Sequence, residues 1–219
     1  MIKFHKNIIQ TYKDIPNEVS ILIHAYASCP FKCMGCFNYD SLCSSTCDKQ
    51  NVLNEDEVIV KIKNMDHIVT SIILSGGEFL SLPLEQIKTF LTKLKLNFSG
   101  NIILYSNGYF PEKLNILFNE KFIDGVHMDL KLPYFSLQPD LEVTEMIIGK
   151  ALNQTEINNL KKSIEIIAKN DKGKSYFRTV KYPILGNDVF DMIKNEVFNV
   201  NQKYQSKIPW SLNEFVYIN

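Results

Sequence analysis

Cys29-Pro-Phe-Lys-Cys33-Met-Gly-Cys36 comes two residues after the apolar, β-branched run from Val19 to Tyr26, VSILIHAY. That run reads as a buried first strand, which puts the cysteines in the loop at its carboxyl end. Thiolates are the usual holders of iron–sulfur clusters, and a [4Fe–4S] cube normally takes four of them. Three thiolates would anchor three corners and leave one iron open to a small molecule, as catalytic zinc sites keep one position open.

All five cysteines of the chain lie between Cys29 and Cys47. A disulfide framework spreads its cysteines along a small secreted chain, whereas an odd, tight cluster points to metal or redox chemistry inside the cell. Zinc is the competing reading, through Cys33, Cys36, Cys43 and Cys47. The six residues between those two pairs are tight against the usual gap of roughly 12–20. A buried helix face carrying Cys29, Cys33 and Cys36 is opposed by Pro30 and Gly35. Cys43 and Cys47 read as incidental or loop-stabilising.

Downstream the chain alternates strands and helices. Asn54-Glu-Asp-Glu opens a helix to about Asn64, with Asn54 as its cap. Strands are expected at Ser71–Gly76, Asn101–Ser106, Gly125–Lys131, Tyr176–Tyr182 and Leu212–Ile218. Helices are expected at Leu84–Leu96, from Pro111 to Asn119, at Thr155–Asn170 capped by Thr155, and from about Asp188 to Lys203. Repeated βα units imply an α/β fold, a parallel sheet with helices outside. Six units fall short of the eight that close a full TIM-type barrel. A partial (β/α)6 barrel over residues 1–219 as one domain is the expectation, with a lead-in over 1–18 and a cysteine loop over 27–53. Segments 38–53 and 132–154 read as the longest irregular stretches, suited to lids or partner docking.

The composition is that of an ordinary globular protein: 219 residues, 45% hydrophobic and 22% charged. The 24 basic and 24 acidic residues cancel, so no basic field advertises a nucleic-acid or membrane partner. No apolar stretch approaches the ~18–20 residues needed to span a bilayer, and the start lacks a signal-peptide core. A cytoplasmic location is expected.

In parallel α/β folds chemistry gathers at the carboxyl ends of strands. There the second strand offers Gly76, Gly77 and Glu78, the third Ser106 and Asn107, the fourth Asp129 and Lys131, and the fifth Arg178. Asp129 and Lys131 are two apart and share a face. Inside a barrel they are costly unless engaged, which suits ribose or carboxylate recognition. Arg178 is a fixed cation suited to a carboxylate. His24 and His127 read as satisfied core or rim residues.

The C-x3-C-x2-C spacing, Gly76-Gly77-Glu78 and Asp129-Leu-Lys131 together resemble the radical S-adenosylmethionine (SAM) enzymes. More narrowly, Gly35-Cys36-Phe37-Asn38 is similar to the G-C-Y-N of activases of anaerobic ribonucleoside-triphosphate reductase. Asp14-Ile-Pro16 resembles the D-x-P-G that precedes their first strand, with Asn17 in place of glycine. The resemblance implies a [4Fe–4S] cluster on Cys29, Cys33 and Cys36, its open iron chelating the amino and carboxylate groups of SAM. It implies that Gly35, Phe37, Gly76, Gly77, Glu78, Ser106, Asn107, Asp129, Lys131 and Arg178 surround that cofactor, with the glycines letting backbone approach the ligand. It further implies a reductive oxidoreductase that forms a 5′-deoxyadenosyl radical and installs a glycyl radical on anaerobic ribonucleotide reductase. A flavodoxin or ferredoxin would supply the electron. A formate-lyase type activase, a 7-carboxy-7-deazaguanine synthase and a non-catalytic zinc- or cluster-bearing interaction module stay open. The end of the chain after a sixth strand reads as leaving no room for a domain holding extra clusters.

Overall fold

The computed structural model describes residues 1–43, 52–65 and 67–217. Short strands β1 (Phe4–His5) and β2 (Ile9–Thr11) precede β3 (Ser20–Ala25). The cysteine loop runs into a π-helical turn at Tyr39–Cys43, then β4 (Val52–Leu53) and α1 (Glu55–Lys63). Regular units follow: β5 (Ser71–Gly76), α2 (Leu84–Lys95), β6 (Asn101–Ser106), α3 (Pro111–Asn119) and β7 (Gly125–Asp129). Then come α4 (Glu142–Ile148), α5 (Gln154–Asn170), β8 (Tyr176–Lys181), α6 (Asn187–Tyr204) and β9 (Trp210–Glu214).

Strands β3, β5, β6, β7, β8 and β9 lie side by side in chain order, all parallel. The helical connections between them follow the rule that parallel neighbours need long crossovers. β1, β2 and β4 add antiparallel pieces beside β3 and one another. No pairing of β9 back to the first strand closes the array among the described residues, so the sheet is an open six-unit α/β arch.

Apolar residues separate onto two faces. Outward-facing Ile72, Leu74, Ile102, Leu104 and Val126 pack with Phe90, Leu94, Leu117 and Ile164 of the helices in one large core. Full burial of each such side chain is worth about 1.5–3 kcal/mol. On the concave face Ile73 and Ile103 meet Ile15 from the lead-in, with Leu22 and Tyr105 beside them. The Tyr105 hydroxyl donates to Asp14. Asp14-Ile-Pro16 therefore forms the floor of the concavity. Asn17 holds the left-handed φ of 62° that asparagine tolerates better than most non-glycine residues.

Three expectations need correction. The last strand is Trp210–Glu214, not Leu212–Ile218. Its register is set by Phe177↔Trp210 and by the Trp210 indole donating to Thr179 Oγ1 at 2.8 Å. The apolar Phe215, Val216 and Tyr217 lie past the strand end; Ile218 lies outside the described residues. Segment 132–154 is not all irregular, because it contains α4. Finally, α5 is capped by Asn153, whose side chain accepts from the Glu156 N–H at 3.0 Å, while Glu156 accepts from the Asn153 N–H at 3.1 Å.

That reciprocal box selects Asn153 over Thr155, since only Asn153 has an acid three residues on. Asn153→Ala should cost about 1 kcal/mol in urea unfolding, and Thr155→Ala only a few tenths. Equal losses would mean that the cap does not set the helix start.

Candidate cofactor site

The cysteine loop is tied down on three sides. Toward β5, the Glu78 N–H donates to Ser28 O at 3.0 Å, and Asn38 Nδ2 donates to Gly76 O at 2.9 Å. Toward α4, the Lys32 and Met34 N–H groups donate to the carbonyls of Ile148 and Ile147, both at 2.9 Å. Toward β6, Asn107 Nδ2 reaches Cys29 Sγ at 3.5 Å. The α4 carbonyls are what an α-helix leaves unsatisfied at its end, and here the cysteine loop uses them.

Gly76 and Gly77 are needed for a close approach within the protein. A Cβ on Gly76 would sit 2.0 Å from Ala25 O, and one on Gly77 would sit 1.9 Å from Ala27 O. The close approach they permit here is to the chain leaving β3. It brings Ala27 and Ser28, and hence Cys29, against the end of β5.

Glu78 is buried and accepts three hydrogen bonds. Its Oε1 accepts from Ser106 Oγ at 3.0 Å and Leu80 N at 3.3 Å, and its Oε2 accepts from Asn107 N at 2.7 Å. Burial pushes its pKa up to about 7 against the lowering by these donors. The ordinary value is 4.5, so the folded protein holds a proton that the unfolded chain loses earlier. Stability from this group is full below that ordinary value and is lost as the pH rises through about 7. Glu78→Gln cannot ionise, so its urea midpoint should fall less than the wild-type midpoint between about pH 5 and pH 8. Parallel declines would contradict this.

Beyond Glu78 lies a charged triad. Asp129 accepts from Arg178 at 3.0 Å and from Lys131 at 3.3 Å. The Arg178 guanidinium lies over the Tyr105 ring, 4.0 Å from its centroid. Burial disfavours the Asp129 charge, yet Lys131 and Arg178 hold its pKa below the usual range. Burial also opposes the Lys131 charge, but Cys33 and Asp129 overcome it and hold the lysine protonated. Asp129 is thus shared between two cations that line the cavity.

These groups surround one cavity of about 270 Å³ at the carboxyl ends of the strands. Cys29, Cys33, Gly35, Cys36 and Phe37 line it from the loop. Gly76, Gly77, Glu78, Ser106, Asn107, Asp129, Lys131 and Arg178 line it from the strand ends. Every residue that the sequence assigns to the cluster or to SAM thus reaches the same space. Sequence reasoning missed Tyr105, Tyr182 and Phe215, which line it too. Tyr182 and Phe215 form an aromatic wall with ring centroids 5.9 Å apart. Gly35, at φ 67°, packs where a Cβ would come 2.8 Å from the Phe215 ring, whereas Phe37 is 64% exposed. The signal for Phe215 was its place just after a strand, hidden by the misplaced last strand.

Cys29, Cys33 and Cys36 form no disulfide. Burial pushes the Cys29 thiol up to about 12, against the lowering by the Phe31 backbone, and raises Cys33 against the pull of Lys131. Thiolates held there need a compensating cation, as metal coordination provides. Among the described residues no three His, Cys, Asp or Glu side chains are placed to hold one metal ion. A mononuclear zinc site is thus not formed by them, and Cys47 of that alternative lies outside the described residues. A cube presents separate irons to separate thiolates, and Cys29, Cys33 and Cys36 share the lining of one cavity where they would meet them. Cys43 lines the cavity as well.

Among the described residues no helix is long and apolar enough to cross a membrane. Residues 20–142 match the model of a family described as "4Fe-4S single cluster domain". No curated protein matches the chain. Among solved structures, native anSMEcpe with bound AdoMet is similar at 16% identity and a TM-score of 0.57, over 90% of this chain and 51% of that one. Coproporphyrinogen III oxidase (HemN) from Escherichia coli, described as a radical SAM enzyme, aligns at 13% identity and a TM-score of 0.49, over 98% and 49%. The chain spans about half the length of these structures. The first likeness is one of fold.

Proposed function

The chain belongs to the 4Fe-4S single cluster domain family, and from that premise we propose that it is a radical SAM enzyme that activates a glycyl-radical partner. The observation that carries this reading is the convergence of Cys29, Cys33 and Cys36 with the polar strand ends on one cavity. The bound state of anSMEcpe, whose fold is similar, supports AdoMet as the small molecule. Cys29, Cys33 and Cys36 would hold the cluster, and no fourth protein thiolate is required of the site. When bound, the cluster and AdoMet supply a one-electron reductive cleavage, which is chemistry the side chains cannot perform.

The chain's own contribution is positioning. Lys131 and Arg178 share Asp129, and their positive charges favour a carboxylate on the ligand. The Tyr105 ring fixes the guanidinium from below, and Asp14 fixes Tyr105. Tyr182 and Phe215 offer flat apolar surface for a nucleobase. The Gly76 and Gly77 contacts hold the cluster loop at the rim. Partner choice rests on the resemblance of Gly35-Cys36-Phe37-Asn38 to reductase activases, and an open arch leaves lateral access for a protein loop.

The test is direct. Anaerobically reconstituted protein, reduced and supplied with AdoMet, is mixed with anaerobic ribonucleotide reductase or with a formate-lyase type partner. A glycyl-radical electron paramagnetic resonance (EPR) signal with the reductase alone supports the reading. A signal only with the other partner overturns the partner assignment. AdoMet cleavage with neither partner responding would point to a small-molecule substrate.

A further inference from the structure

Asn107, at the end of β6, directs its side-chain amide at a cysteine sulfur, and its backbone N–H and Oδ1 are also bonded. Its Nδ2 lies 3.5 Å from Cys29 Sγ, within reach for a sulfur acceptor. The orientation of the amide is fixed, because Oδ1 accepts from the Tyr109 N–H at 3.0 Å. Its backbone N–H is bound at 2.7 Å by Glu78 Oε2. Glu78 in turn accepts from Ser106 Oγ, which accepts from the Gly108 N–H at 3.0 Å. Asn107 is 7% exposed and Glu78 2% exposed, so the whole pedestal is shielded from water.

From this geometry we infer that Asn107 is a positioning residue that donates an N–H···S bond to the Cys29 thiolate and so sets the reduction potential of the cluster. The inference rests on the proposed cluster. Hydrogen bonds to cluster sulfurs are among the determinants of reduction potential. Reduction adds one electron and makes the thiolate–cluster unit more negative, so a donor stabilises the reduced form and raises the potential. A shielded bond to a charged acceptor is stronger than an ordinary one. The Glu78 carboxylate thus acts at a distance, by holding the donor rather than by touching the ligand. This role is additional to the expected one of Asn107 as a contact to SAM, because Nδ2 carries two N–H groups and only one is directed at sulfur.

The experiment is an EPR-monitored redox titration of reconstituted wild type, Asn107→Ala and Asn107→Asp, each without and with AdoMet. Asn107→Asp keeps the side-chain shape and the Tyr109 contact but has no N–H to offer. The expected result is an AdoMet-free potential lowered in both variants by about a tenfold shift in the reduction equilibrium, roughly 59 mV for one electron. Resonance Raman should show a changed Fe–S(Cys) stretch. Unchanged potentials in cluster-loaded variants would overturn the inference, and so would weaker AdoMet binding at an unchanged potential. Folded variants that load no iron would overturn it also, because a tuning donor is not needed for assembly. Wild-type protein that loads no cluster would instead defeat the proposed function itself.

Discussion

Replacing Cys33 by serine should leave a folded protein with little iron and should reduce AdoMet cleavage by about 10³-fold or more, the scale on which losing one member of a catalytic unit is felt. Cys33 sits where the loop is held from outside by the Met34–Ile147 backbone bond and lines the cavity beside Lys131. Burial raises its thiol pKa against the lowering by Lys131. A serine there packs nearly as well but binds soft iron poorly. Iron assay, visible absorbance and 5′-deoxyadenosine release check this. Full iron content in Cys33→Ser would remove the residue from the ligand set.

Gly76→Ala should be the most destabilising single change in the strand ends. The added methyl would meet Ala25 O at 2.0 Å and Ala25 N at 2.8 Å, and φ is 140°. Backbone atoms cannot rotate away as a side chain can, so the strand must move. Strain of about 1–3 kcal/mol adds to overpacking of about 1–3 kcal/mol. For a chain of this size that lowers Tm by roughly 10 °C. Gly173→Ala is the matched control. Its φ is also positive, at 78°, but nothing lies within 4 Å of the added methyl. It should cost only about 1–2 kcal/mol of backbone strain. Calorimetry on both variants separates contact from conformation. If the two fell equally, the tight β3–β5 contact would not be what requires glycine. Displacing Ala25 also displaces the chain to Cys29, so Gly76→Ala should load less cluster than Gly173→Ala.

Much of the fold was legible because its signals are local. Ser71–Gly76 and Asn101–Ser106 are short apolar runs closed by Gly or Ser, and both strands fall where periodicity places them. Pro111 marks the first turn of α3 as expected. The last strand was misplaced because its own residues, Ser211, Asn213 and Glu214, are polar on an edge. The apolar Phe215 and Val216 that follow drew the expectation past its end, yet they line the cavity. α4 was missed because its seven residues are short and lack a capping side chain. Its value comes from a tertiary contact, the two carbonyls that receive the cysteine loop.

The candidate site was legible as a set of residues, not as a set of contacts. Convergence on one end of a parallel sheet follows from chain direction alone. Which atom faces which does not. Glu78 reads in sequence as a ligand contact, whereas the structure turns its carboxylate onto Ser106, Asn107 and Leu80. The glycine pair reads as ligand clearance, and the structure shows it clearing the chain that leaves β3. Tyr105 stayed hidden because it lies within an ordinary strand, and only the neighbouring register with His127 and Arg178 turns it into a platform.

Cys43 reaches the same cavity as the other three cysteines, so the number of thiolates on the cluster decides the central claim. The most direct measurement is EPR of the reduced, reconstituted protein with and without AdoMet, in wild type and in Cys43→Ser. Three-thiolate ligation predicts four irons per chain in both proteins and a spectrum that changes when AdoMet meets the open iron. A spectrum indifferent to AdoMet, together with loss of iron in Cys43→Ser, would reveal a closed four-thiolate cluster and contradict the account.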